Sequence, residues 1–230
     1  MPGSKPMYFK SRAEAGRLIA EKLDKYKAQN IVVVALDEGS SIVAAQVAMK
    51  LHANLLLYMV KNIYLPGENQ AIAGLSSTGT FVTNDYFSAG QLEDLNMEYR
   101  NHIEQKRMEA NHEMNVLLGK DGEIKKELLR HRVVIVVSDG LPTGFALQMC
   151  TMFLKTIAIK RVVAATPLAS VEAVDKMHLI TDEICCLSVV PNYMGTNHYY
   201  EDNTMPSTQG VLKIMKNIIL NWETKAKSAD

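Results

Sequence analysis

Two short, unbroken apolar runs limit the fold of this chain most: Ile31-Val32-Val33-Val34-Ala35-Leu36 and Val133-Val134-Ile135-Val136-Val137. A strand with one wet face alternates apolar and polar residues. These runs hold no polar residue, so both of their faces need cover. Runs at residues 55–60, 161–166 and 183–190 read as further strands. Between them lie stretches of helical periodicity at 42–51, 144–157 and 169–178. Strands that alternate with helices are joined by crossovers. The pattern therefore predicts an α/β fold, a mainly parallel five-stranded sheet with helices on both faces.

Local signals fill in the rest. Ser11-Arg12-Ala13-Glu14 reads as a capping box, with the serine capping an amide and the glutamate reaching back. Leu18, Ile19, Leu23 and Tyr26 then form one apolar helical face, ended at Asn30. Asp37-Glu38-Gly39-Ser40-Ser41 reads as a polar turn after the first strand. Residues 63–86 contain Pro66 and the alternating Thr80-Phe81-Val82-Thr83, and read as irregular loop plus hairpin. Residues 91–118 read as one long helix, apolar at Leu92, Leu95, Tyr99 and Ile103 and otherwise solvated. A turn at 119–122 and a short helix to about residue 130 follow. The stretch from about 62 to 130 is thus expected to be an inserted hood over one end of the sheet, within a single domain spanning 1–230. Residues 191–206 are irregular and aromatic-rich. Ser207 is expected to cap a C-terminal helix that turns Val211, Ile214, Met215, Ile218 and Trp222 inward.

Composition narrows the function. Apolar residues make up 47%, enough for a core, and Lys plus Arg against Asp plus Glu gives 25 − 25 = 0. A neutral balance argues against nucleic-acid and electrostatic membrane binding. No apolar run approaches the ~20 residues of a spanning helix. Residues 1–10 are polar and carry no signal-peptide core, so a cytoplasmic location is expected. Cys150 stands alone and Cys185 and Cys186 are adjacent, with no CxxC pair; buried, reduced thiols are expected, without zinc or redox chemistry. The six histidines show no zincin spacing. His198, beside Tyr199 and Tyr200, reads either as lining a base pocket or as part of a packed aromatic cluster. The 13 methionines read as core filling. Walker A and GxSxG motifs are absent.

Ligands of a parallel sheet bind at the carboxyl ends of its strands. There the second unbroken run continues into Ser138-Asp139-Gly140-Leu141-Pro142-Thr143-Gly144 and opens a helix. Amides at a helix N-terminus beside a hydroxyl suit a phosphate, and an acid at a strand end suits sugar hydroxyls. The same stretch also reads as a plain strand-turn-helix junction with Thr143 as a cap.

This motif resembles the phosphoribosyl-pyrophosphate signature of type I phosphoribosyltransferases: apolar strand, two acids, short turn, Thr-Gly. Pro66-Gly67-Glu68 with Ala71-Ile72-Ala73, and Tyr199-Tyr200-Glu201-Asp202, look like the cytoplasmic subgroup of that family, and the resemblance runs through most of the chain in the same order. It implies that Asp139 meets the ribose hydroxyls and that Gly140, Leu141, Pro142, Thr143 and Gly144 wrap a 5′-phosphate. It further implies that Asp37, Glu38, Gly39 and Ser40 stand where the family holds pyrophosphate, and that Lys61 is a basic residue near the second loop. Mg²⁺ is the implied cofactor and a homodimer the implied assembly.

Two departures shape the expectation. Ser138 replaces the first acid; it can hydrogen-bond a ribose hydroxyl but brings no charge to balance a cation or an oxocarbenium-like transition state. Asp37-Glu38-Gly39-Ser40 replaces the subgroup's Pro-Arg-Gly-Gly, and each misplaced charge at ~4 Å costs about 4 kcal/mol at an effective dielectric near 20. A metal bridging acid and phosphate would reverse that sign. Pro142 also removes one amide donor from the cradle. The leading expectation is a protein that binds a 5′-phosphoribosyl ligand or nucleotide with transferase activity weakened or lost. The alternatives are an active, Mg²⁺-dependent transferase and an interaction protein that kept only the fold. No catalytic residue and no metal ligand is assigned.

Overall fold

Ser11 opens the first helix, α1 (Arg12–Lys22), in extended backbone, and its hydroxyl accepts from the Glu14 amide. Glu14 reaches back one residue further than a capping box requires, accepting from Lys10 N–H at 2.7 Å. This computed structural model describes residues 6–118, 124–207, 210, 211, 213, 214 and 218. They divide into two compact units, residues 1–57 with 125–230, and residues 58–124.

The first unit is built on five strands, β1 (Ile31–Ala35), β2 (Asn54–Leu57), β6 (Val133–Val137), β7 (Arg161–Ser170) and β8 (Glu183–Val190). They form a parallel sheet in the order β2-β1-β6-β7-β8. Every residue of β1 and β6 is buried, as their unbroken apolar sequence demands. The crossover from β1 to β2 is α2 (Glu38–Leu51); those from β6 to β7 and from β7 to β8 are α5 (Phe145–Leu154) and α6 (Val171–Ile180). Because β1 steps toward one edge and β6 toward the other, right-handed crossovers place α2 and α5 on opposite faces.

Helices α1 and α2 pack through Gly16, where an added Cβ would lie 2.8 Å from the Val43 carbonyl oxygen and 2.9 Å from Gln46 Cβ. The start of the edge strand β8 is tied down by Glu183, which accepts from Tyr26 Oη at 2.6 Å and pairs with Lys25.

Several boundaries differ from the sequence expectation. The segment at residues 37–41 is not a turn: Asp37 is the N-cap of α2, and its side chain accepts from the Ser40 amide, so the helix starts at Glu38. Strand β7 runs on through Pro167 to Ser170. It loses β6 after Ala165 but keeps pairing with β8, and Thr166 Oγ1 bonds around the proline to Leu168 O. Helix α6 therefore begins two residues later than expected, capped by Ser170. Cys150 is buried as expected, whereas Cys185 and Cys186 are only half-buried, because β8 is the edge of the sheet. Gly210, Val211, Lys213, Ile214 and Ile218 are helical, with Val211 and Ile218 buried. Met215, Trp222 and the turn at 119–122 lie outside the described residues.

In the second unit the expected hairpin is present as β4 (Ala71–Ser76) and β5 (Phe81–Thr83), and part of the expected loop is instead strand, β3 (Val60–Tyr64), which completes a three-stranded antiparallel sheet in the order β3-β4-β5. The expected single long helix is two: α3 (Ala89–Glu98), with a complete Ser88–Gln91 capping box, and α4 (Arg100–Leu118). The break falls at Tyr99, whose backbone leaves the helical region at φ −109°, ψ 20°. Its ring, with Leu92 and Leu95, packs against a core of Ile63, Leu65, Ile72, Ala73, Phe87 and Ile103.

Candidate functional site

The parallel register aligns two acids. Ala35 pairs with Val137, so two residues further on Asp37 and Asp139 stand level at the carboxyl ends of neighbouring strands. They are used differently. Asp37 Oδ1 accepts from Ser40 N–H at 2.6 Å, as a helix cap. Burial and then the charge of Asp139 push the Asp37 carboxyl up to about 7. Asp37 keeps partial contact with solvent, which tempers the effect of burial; the neighbouring charge acts regardless.

Asp139 is buried and fully engaged. Its Oδ2 accepts from Arg12 Nε at 2.6 Å, its Oδ1 from Ser40 Oγ at 3.4 Å, and its amide donates back to Ser40 Oγ at 3.2 Å. Its carbonyl accepts from Tyr200 Oη at 2.7 Å. Arg12, itself 2% exposed, donates through Nη2 to Asn197 Oδ1 at 2.6 Å and through Nη1 to Asn203 Oδ1 at 3.3 Å. The Tyr200 ring stacks on the guanidinium, 4.7 Å away.

Residues 193–205 also cover the glycines beside the acid. A Cβ on Gly140 would collide with Tyr193 Oη and lie 2.8 Å from Thr196. One on Gly39 would lie 2.5 Å from Asp139 Oδ2 and 3.0 Å from the Met205 methyl. In this conformation the space a ligand would use next to these glycines is filled by the chain itself.

The rest of the turn is held largely by its own hydrogen bonds. Ser138 Oγ donates to Gly140 O at 2.9 Å, and Leu141 is held on β7, donating to Leu168 O and accepting from Ser170 N–H. Pro142 is exposed and Thr143 half-buried. Gly144, at φ 71°, is the N-cap of α5; this left-handed conformation is the reason for a glycine here. The α5 ladder starts with Gln148 N–H donating to Gly144 O, leaving the Ala146 and Leu147 amides at the helix entrance outside it. Thr143 Oγ1 accepts from Phe145 N–H at 3.4 Å.

The structure thus brings Asp37, Gly39 and Ser40 together with Asp139 and Gly140, and it places Glu38, half-buried, as the first residue of α2. Lys61 stands on β3 in the second unit, 3.6 Å from Glu113. His198 joins an aromatic cluster, edge-on to Tyr199 at 5.0 Å and to Tyr8 at 5.8 Å. The sequence motifs assign no site role to Arg12, Asn197 or Asn203. For Arg12 a signal exists: it falls in the buried stripe Arg12, Ala15, Gly16, Ile19, Ala20, where a charged residue must have a buried partner.

Mg²⁺, the ion the resemblance implies, does not fit this donor set. The strand-end carboxylate is already bound by a guanidinium, and Ser138 stands where the family carries its other acid. Among the described residues no group of three or more His, Cys, Asp or Glu side chains could hold a metal.

Comparison with known proteins agrees with this architecture. Residues 7–190 match the phosphoribosyl transferase domain family model. The "Putative phosphoribosyl transferase" of Mycobacterium tuberculosis, found in two strains, is 26% identical over 213 residues. The match covers 90% of this chain and 46% of that protein, so the chain spans about half the length of these curated relatives. The crystal structure of TT1426 from Thermus thermophilus superposes with a TM-score of 0.68 at 25% identity, covering 91% of this chain and 98% of that one.

Proposed function

Because the chain belongs to the phosphoribosyl transferase domain family, we propose that it binds a 5′-phosphorylated ribose compound through residues 138–144 and has lost most of its capacity to transfer a phosphoribosyl group. The observation that carries the reading is the unequal state of the two strand-end turns. After β6, the exposed Pro142 and half-buried Thr143 lead into the entrance of α5, with Gly144 in the left-handed region. Amides and a hydroxyl at such an entrance favour a phosphate dianion. After β1, the entrance of α2 is filled by the chain itself: Asp37 caps it, Glu38 adds a second carboxyl, and Met205 lies against Gly39. A pyrophosphate there would meet two acids where it needs cations.

Transfer also needs positive charge around the leaving pyrophosphate, and the described cation of this cluster, Arg12, is committed to Asp139. A ribose 5-phosphate or nucleoside monophosphate makes no such demand. Binding does require residues 193–205 to yield space beside Gly140.

Calorimetric titration tests this with ribose 5-phosphate, a nucleoside monophosphate panel and phosphoribosyl pyrophosphate, each in Mg²⁺-containing buffer. The expected result is saturable binding of a monophosphate, with the pyrophosphate donor bound no more tightly. Preferential binding of the donor would overturn the reading in favour of a working transferase. Silence from every compound would overturn it in favour of a scaffold.

A further inference from the structure

Arg12 stands in the candidate site, yet the phosphate cradle makes no use of it. Its side chain enters from α1, 127 residues away in sequence from the acid it meets. It is 2% exposed, and Asp139 is 5% exposed. Beside that acid the guanidinium meets neutral groups: two asparagine carbonyl oxygens and the face of Tyr200. One positive charge is therefore dedicated to one carboxylate, in a setting that water scarcely reaches.

We infer that Arg12 is a built-in counter-cation that holds Asp139 in place and keeps divalent metal ions off it. Mg²⁺ binds oxygen ligands at about 2.0–2.1 Å in near-octahedral geometry and keeps several waters. Through Oδ2 of Asp139 it would have to dislodge a guanidinium 2.6 Å away and leave it buried without its counter-charge; through Oδ1, which accepts from Ser40 Oγ at 3.4 Å, it would bring a second cation against that buried guanidinium. Of the neighbouring acids, Asp37 already gives its Oδ1 to the Ser40 amide as the cap of α2. Built onto the proposed function, the consequence is that a ribose phosphate is taken up without Mg²⁺; Arg12 acts as a positioning residue through Asp139.

The first test reads the metal alone, on the full chain. Mn²⁺ stands in for Mg²⁺, and its free ion is followed by electron paramagnetic resonance. Wild type is expected to leave Mn²⁺ free. Arg12→Gln removes the charge and keeps a hydrogen-bonding side chain; it is expected to raise Mn²⁺ affinity by about tenfold or more. Adding Asp139→Asn should abolish that gain, and Arg12→Lys, which restores the charge, should exclude the ion again. Mn²⁺ binding by wild type that Asp139→Asn abolishes overturns the inference. So does a folded Arg12→Gln protein with no gain.

If Arg12→Gln fails to fold, wild type still decides. Its thermal midpoint should be unmoved by Mg²⁺, and a saturable rise lost in Asp139→Asn overturns the inference. A separate titration of ribose 5-phosphate with and without Mg²⁺ should give the same affinity, and an Mg²⁺-dependent gain counts against Arg12. Failure of ribose 5-phosphate to bind at all bears on the proposed function, while the Mn²⁺ readout still decides the role of Arg12.

Discussion

Asp37 and Asp139 end neighbouring parallel strands at the same level, and only Asp139 is paired with Arg12. Burial and the charge of Asp139 raise the Asp37 carboxyl, to about 7 from an ordinary 3.8. In the unfolded chain Asp37 loses its proton near pH 4, while the fold retains it. The folded state then binds more protons, so the stability this group contributes is full below about pH 4 and is lost as pH rises to about 7. With partial solvent contact discounted, the loss is about 1–3 kcal/mol. Asp37→Asn keeps the helix cap, because asparagine caps as well as aspartate. Urea denaturation from pH 4 to pH 8 should show a flatter profile for the variant and higher stability than wild type at pH 8. An unchanged slope would show that Asp37 ionises freely in the fold.

The Arg12–Asp139 pair is best tested by a double-mutant cycle. Arg12→Met leaves Asp139 buried without its counter-charge, and Asp139→Asn leaves Arg12 likewise; each should cost about 3–5 kcal/mol. The double variant buries no unpaired charge and should cost clearly less than the sum of the two. Equilibrium denaturation at pH 7 measures all four corners. Simple additivity would mean that the contact carries no coupling energy.

Two glycine-to-alanine substitutions should differ in sign. At Gly16 the added Cβ meets backbone of α2, which cannot swing aside as a flexible side chain can, so Gly16→Ala should destabilise by about 1–3 kcal/mol. At Gly90, in the first turn of α3, nothing lies within 4 Å. Gly90→Ala should stabilise by about 0.4–1 kcal/mol by restricting the unfolded chain. Thermal melts of the pair give the comparison directly.

Thr143→Val removes the hydroxyl at the entrance of α5 and keeps the shape of the side chain. In the fold that hydroxyl has one long contact, 3.4 Å from the Phe145 amide, so the melting temperature should change little. Affinity for ribose 5-phosphate should fall about tenfold, the value of one charge-assisted hydrogen bond. Equal affinity in the variant would place the phosphate elsewhere.

The parts of the molecule that are readable from sequence are those governed by local pattern. Residues 31–36 and 133–137 are apolar without interruption, which has one stable outcome, a strand covered on both faces, and β1 and β6 are that. The Ser11 cap follows from a hydrogen-bonding rule, and the polar outer face of α4 from the helical period of its apolar residues, both of which act within a few residues. Residues 37–41 are harder. Aspartate, glutamate, glycine and serine favour turns and helix starts alike, and only the packing of α2 on the sheet selects the second. The antiparallel sheet of the second unit is obscured by Pro66 and by glycines in short strands, whose pairing depends on partners distant in the chain.

By itself, the sequence determined that this chain forms a parallel α/β sheet and that a strand-acid-turn-helix junction stands at its carboxyl end. Both depend on periodicity and residue type, which act at short range. The tertiary structure alone decided what surrounds the acid. Arg12, Asp139, Asn197 and Tyr200 are brought together from distant parts of the chain, and no local rule couples the first two to the rest. Strand β6 delivers Asp139 to the carboxyl edge of the sheet, and Arg12 meets it there because a charge buried on the inner face of α1 is stable only beside an opposite charge. By that requirement, the residue for which the family resemblance implies a sugar contact is also half of a buried ion pair.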